Sequence, residues 1–159
     1  MNIPVSPHTI LEKIPALAAH FRIAAKTRGT RERPRVLVVE DQLFSRKILE
    51  EVLHHKHDVD TASNAKDGMK LYLENAPDIA LLDIEMQGQS GHTLAQFIKT
   101  VDENSFVIMV TGNNSVEDVA LARSNKVNGY IVKPYNKSKI LECIEAYYAL
   151  HPDRRPEEK

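Results

Sequence analysis

From Arg35 onward the chain alternates short apolar runs with segments of helical periodicity, five times over. A run of four or five apolar residues without polar alternation suits a strand buried on both faces. Five such runs separated by helices imply a parallel sheet covered on both sides, an α/β fold. The spacing predicts strands at 36–39, 59–62, 78–82, 106–110 and 130–132. Helices are predicted at 43–55, 65–75, 93–101, 115–126 and 137–149. Val59 to Ala62 is the most polar of the five runs, as an edge strand should be. On the first of these helices Phe44, Ile48 and Val52 line up on one side.

In open parallel sheets, ligands bind beyond the carboxyl ends of the strands, where the strand order reverses. Glu40, Asp41, Asp83, Thr111 and Lys133 each stand just after a predicted strand, so all five should crowd one edge. Asp83 draws most attention, because Ile79-Ala80-Leu81-Leu82 delivers its carboxylate from the core. Burying a carboxylate costs several kcal/mol unless a cation or hydrogen bonds compensate. Taken singly, Asp83 could cap a turn, Thr111 could cap a helix and Lys133 could be solvated. Together they form equipment for an anion. Three neighbouring carboxylates call for a divalent cation, and oxygen donors without cysteine favour Mg²⁺ or Mn²⁺ over zinc. Lys133 and the Thr111 hydroxyl offer a charge and a hydrogen bond to a phosphate oxygen. Positioning and neutralisation do most of the work in phosphoryl transfer. A carboxylate can serve as its nucleophile, and Asp83 is the candidate because Glu40-Asp41 are paired like metal ligands. Gly112 leaves space beside Thr111.

The segments Val38-Val39-Glu40-Asp41, Leu81-Leu82-Asp83-Ile84-Glu85-Met86, Val110-Thr111-Gly112 and Tyr130-Ile131-Val132-Lys133-Pro134-Tyr135 resemble the receiver domain of two-component response regulators, over about residues 35–148. The resemblance implies a flavodoxin-like (βα)5 doubly wound sheet in the order 2-1-3-4-5. By the same resemblance, Asp83 accepts a phosphoryl group from a sensor histidine kinase or a histidine phosphotransfer protein. Glu40, Asp41, Asp83 and the backbone carbonyl of Glu85 hold Mg²⁺ or Mn²⁺. Lys133 pairs with the phosphoryl oxygens, and Thr111 and Tyr130 are the switch residues. Lys133–Pro134 resembles the family's cis peptide. Gln42, Leu43 and Ser45 resemble the surface offered to phosphohistidine donors. The downstream target would be a protein, and the face made by the receiver's fourth helix, fifth strand and fifth helix could pair two copies. The expected activity is self-catalysed phosphoryl transfer and autodephosphorylation, not turnover of a substrate. Three positions depart from the family or vary within it. Gln87 follows Met86 where the family usually has proline, and Glu85 with Asn113 occupies positions that tune phosphate lifetime. An acidic Glu85 could repel anions or orient water. The rival reading is a magnesium-dependent phosphatase of the haloacid-dehalogenase type, which wants an aspartate where Glu85 stands.

Residues 1–34 are expected to be a helical extension and basic linker, 35–150 the receiver without a following output domain, and 151–159 a frayed tail. The helix at 6–27 has Ser6 as cap and Pro7 at its first position. Ile10, Leu11, Ile14, Leu17, Ala18 and Phe21 form its apolar face, and Pro15 either kinks it or divides it. This face could pack on the receiver, form a dimer or dock a partner. The first 35 residues carry seven cationic side chains against Glu12 and Glu32, although the whole chain has a net charge of -1. A DNA-binding regulator is thus a third reading. However, Phe21 is the arm's lone aromatic and no DNA-reading motif accompanies it, so nucleic acid is not expected as a partner. No apolar run approaches the roughly 20 residues of a membrane span, and no secretory signal is apparent, so a cytoplasmic location is expected. The single Cys143 excludes an intramolecular disulfide framework. His54, His55 and His57 read as a solvated helix end.

Overall fold

In the computed structural model, which describes residues 15–112 and 115–157 apart from the side chains of residues 17 and 18, all five apolar runs pair in parallel. The strands are β1 (Arg35–Val39), β2 (Asp58–Ala62), β3 (Ile79–Asp83), β4 (Phe106–Thr111) and β5 (Gly129–Val132). Their order is β2-β1-β3-β4-β5, as the resemblance implies. The order reverses between β1 and β3, whose pairing aligns Val39 with Leu82 so that both strands end at the same edge. Helices α1 (Pro15–Thr27), α2 (Leu43–Leu53), α3 (Ala65–Asn75), α4 (Gly91–Val101), α5 (Val116–Ser124) and α6 (Lys137–Leu150) surround the sheet. Side-chain caps start several of them: Asn64, Ser115 and Asn136 accept the backbone N–H three residues on.

Alternate residues of each central strand enter opposite cores, the period-2 rule of a pleated strand. Leu37, Val39, Ala80, Leu82, Val107 and Met109 join α3 and α4 on one face. Val36, Val38, Ile79, Leu81, Ile108 and Val110 meet α2 and α6 on the other. The side of α2 that carries Phe44 and Ile48 is not the buried one. Leu49 and Leu53 are buried, Val52 packs partly against them, and Phe44 is 78% exposed. Two apolar stripes compete on this helix, and the one that reaches Val36 and Val38 wins.

The helix 115–126 is shorter than predicted, and α4 starts two residues early, at Gly91. Ser90 caps α4, and Gly91 passes the Asp83 carbonyl so closely that a Cβ there would lie 2.1 Å from that oxygen.

The basic arm packs against the receiver. Phe21 is buried from α1, its ring 5.9 Å from that of Tyr72 on α3. Arg28 donates to the Ala76 carbonyl (3.0 Å) and to Asp102 (2.9 Å). Arg31 donates to the Ala76 and Asn75 carbonyls and reaches Asp78 at 3.3 Å. Cations belong at the C-terminus of a helix, where carbonyls lack partners, and the arm supplies them to α3. Much of its excess charge thus has a structural use. Ser6, Pro7, Ile10, Leu11 and Ile14 lie outside the described residues, and the helix is described from Pro15 to Thr27.

Pro152–Arg154 form a 3-10 turn, and Arg154 donates to the Arg31 carbonyl at 2.8 Å. Arg155 pairs with Glu145 at 2.8 Å and lies over the Tyr148 ring. Asp78, whose side chain is 1% exposed, sits beneath arm and tail together. It accepts the Arg35 N–H at 2.8 Å and faces Arg31, Arg154 and the Tyr147 hydroxyl.

His54 and His55 form an exposed cluster with Glu51 at the end of α2, as expected of a solvated helix end. His57 does not belong to it. It is buried, with its Nδ1 3.0 Å from the Leu53 carbonyl and its Nε2 2.7 Å from the Tyr148 hydroxyl. The carbonyl can only accept, so Nδ1 carries the proton and Nε2 accepts from tyrosine. Burial lowers the affinity of this imidazole for a second proton.

Candidate functional site

Glu40, Asp41, Asp83, Thr111 and Lys133 all meet at the carboxyl edge of the sheet. Asp83 closes β3 and Thr111 closes β4, while Glu40-Asp41 and Lys133 each follow a strand directly. Glu40, Asp83 and Thr111 are buried, at 1%, 3% and 0% exposure. Carboxylate oxygens of Glu40, Asp41 and Asp83 lie within 4.8 Å of one another. Lys133 Nζ bridges the two buried acids, 3.0 Å from Glu40 Oε2 and 3.4 Å from Asp83 Oδ2. Backbone donors complete the acids: Gln42 N–H to Glu40 Oε1 at 3.1 Å and Glu85 N–H to Asp83 Oδ1 at 3.2 Å. The Lys133–Pro134 peptide is cis.

One lysine does not neutralise three carboxylates. Burial, and then Glu40 by hydrogen bond and repulsion, push the Asp83 carboxyl up to about 7, against the opposing pull of Lys133 and the Glu85 N–H. Burial pulls the Lys133 ammonium down, but Glu40 and Asp83 together hold it above its ordinary value. A compact set of oxygen donors with surplus negative charge fits a hard divalent cation such as Mg²⁺.

Thr111 donates to Glu85 Oε1 at 2.7 Å, and the Gly112 N–H donates to Glu85 Oε2 at 3.0 Å. The side chain of Glu85 is thereby turned onto the end of β4, while its backbone stays at Asp83. Tyr130 packs its ring against the core shared by α3 and α4 and buries its hydroxyl. That burial, followed by Asp118 and Glu85, raises the phenol above its ordinary value. Where the family usually has proline, Gln87 is exposed, and the bend is made by Gly88 at φ +89°. Asn113 lies outside the described residues.

Gln42 and Leu43 are exposed beside the site, and Ser45 is partly buried with its hydroxyl 3.5 Å from Gln42 Oε1. Phe44 extends this apolar surface. Two participants escaped the sequence reading. Arg46 donates to the Glu40 carbonyl at 2.8 Å from one turn into α2. His92, buried in the first turn of α4, donates from Nε2 to Asp118 Oδ1 of α5 at 3.1 Å. No spacing in the sequence signals either contact.

The family model described as the response regulator receiver domain matches residues 36–145. The chemotaxis protein CheY of Halobacterium salinarum is 32% identical over 110 residues, covering 69% of this chain and 92% of that protein. Sporulation initiation phosphotransferase F of Bacillus subtilis is 25% identical over 117 residues, with 73% and 94% covered. A CheY-like receiver domain protein from Methanospirillum hungatei superposes with a TM-score of 0.73 at 24% identity, covering 76% of this chain and 98% of that one, a likeness of fold. The chain belongs to the response regulator receiver domain family. It is a phosphorylation-activated signalling module of two-component systems, and members of this family generally bind Mg²⁺ at an acidic pocket. Among the described residues, no helix is long and apolar enough to cross a membrane.

Proposed function

We propose that Asp83 is the phosphoacceptor of this receiver and that the chain signals by protein contact once phosphorylated. The observation that carries the reading is the Lys133 ammonium lying between Asp83 and Glu40, with Asp41 beside them. Asp83 Oδ attacks the phosphorus of a phosphohistidine; the P–O bond forms as the P–N bond breaks, and the imidazole leaves. Glu40, Asp41, Asp83 and the Glu85 carbonyl would hold Mg²⁺, which when bound offsets negative charge on the carboxylates and the phosphoryl oxygens. Lys133 orients the acceptor and takes a phosphoryl oxygen. Thr111 donates to another, and Tyr130, packed behind it, reads the position of that hydroxyl.

The donor would be a sensor histidine kinase or a histidine phosphotransfer protein docking on Gln42, Leu43 and Ser45, with exposed Phe44 adding apolar area. The face of α5, β5 and α6, with Val116 81% exposed, would receive the downstream protein or a second copy. The phosphatase reading is disfavoured, because the second acid it needs is Glu85, whose carboxylate faces Thr111 and Gly112. Incubation with acetyl phosphate and Mg²⁺ separates the two. One stoichiometric phosphoryl group, stable to acid, labile to base and absent from Asp83→Asn, supports the receiver, whereas rapid sustained hydrolysis of varied phosphoesters overturns it.

A further inference from the structure

We propose that the Glu85 carboxylate is a built-in occupant of the phosphoryl pocket. It holds the two hydrogen-bond donors that a phosphoryl group on Asp83 would take, so phosphorylation must displace it. The inference rests on the reading of Asp83 as phosphoacceptor and adds a competitor within the same site.

The geometry leaves little room for both acceptors. The Glu85 N–H is on Asp83 Oδ1, so the side chain starts beside the acceptor. Its two oxygens are then bound separately, one by the Thr111 hydroxyl at 2.7 Å and the other by the Gly112 N–H at 3.0 Å. A hydroxyl carries one proton and an amide one, so neither can be donated fully to a second acceptor. Thr111 is fully buried, which removes water as an alternative partner. Its hydroxyl is thus drawn toward the loop after β3 before any phosphate arrives. Glu85 itself is an exposed residue, so its carboxylate can swing into solvent and recover hydration there. Glutamate suits the task because two anionic oxygens meet two donors, as two oxygens of a phosphoryl group would. Glu85 is therefore a positioning residue. It keeps the threonine in place and opposes phosphorylation by competition.

Beryllofluoride, which mimics a phosphoryl group on an aspartate, is a probe that reads this directly in the full chain at saturating Mg²⁺. Calorimetric titration should show Glu85→Ala binding about tenfold more tightly than the wild type, equivalent to about 1.4 kcal/mol. Glu85→Gln should fall between them, because it keeps an acceptor for only one of the two donors. In a Thr111→Val background the gain from Glu85→Ala should shrink, since one contested donor is gone. Equal or weaker binding by Glu85→Ala overturns the inference while leaving the site intact, provided Asp83→Asn abolishes binding. A gain just as large in Thr111→Val overturns it too, because charge repulsion alone would then suffice. Binding that survives Asp83→Asn, or no binding by the wild type, overturns the phosphoacceptor reading and this inference with it.

Discussion

Replacing Asp83 with asparagine should stabilise the metal-free protein at alkaline pH. The Asp83 carboxyl moves from 3.8 to about 7 on folding, chiefly through burial and then through Glu40. A folded-state value above the unfolded one means that the folded chain holds the proton between these limits while the unfolded chain has lost it. The stability associated with this group is therefore full below about 4, declines as pH rises toward 7, and is flat beyond. At about 1.4 kcal/mol per pH unit, ionised Asp83 carries a penalty of up to about 4 kcal/mol. Asparagine keeps the shape without the charge, so Asp83→Asn should exceed the wild type at pH 8 by up to that amount and at pH 4.5 by only about 1 kcal/mol. For a chain of this size each kcal/mol moves the melting temperature by about 2–4 °C. Urea and thermal unfolding followed by circular dichroism, with chelator present, measure the gap. Added Mg²⁺ should close it by stabilising the wild type alone. A variant less stable than the wild type at pH 8, or a gap that ignores pH, would refute the electrostatic account of the site.

Other substitutions test the frame around it. Gly91→Ala places a Cβ 2.1 Å from the Asp83 carbonyl oxygen, and urea unfolding should show a loss of about 3 kcal/mol. Asp78→Ala strips the shared partner from Arg31, Arg154 and the Arg35 N–H, and should cost about 3–5 kcal/mol in the same assay. A cost under about 1 kcal/mol would mean that arm and tail are not held through this carboxylate.

The parts of the site legible in the sequence were those fixed by topology. Once the apolar runs are read as parallel strands, residues directly after them must share an edge, and Glu40, Asp41, Asp83, Thr111 and Lys133 do. What stayed hidden depends on directions and long-range pairs. Glu85 was visible as an acid near the acceptor, but only a rotamer decides whether it faces Asp83 or Thr111. Phe44 and Leu49 both belong to apolar stripes on α2, and neither stripe names the strand it will meet. The arm advertised charge, which suggests polyanions, yet its arginines meet the carbonyl end of α3 and Asp78, more than 40 residues away in sequence. In the tail, Arg154 finds its acceptor, the Arg31 carbonyl, 123 residues upstream. Local pattern has no access to such pairs.

The central claim is that Asp83 carries the phosphoryl group. Intact-mass measurement after incubation with acetyl phosphate and Mg²⁺ tests it most directly, on the wild type and Asp83→Asn side by side. The account predicts one phosphoryl group per wild-type chain, stable to acid and lost in base, and none on the variant. A phosphoryl group retained on Asp83→Asn, or its absence from the wild type, would contradict it.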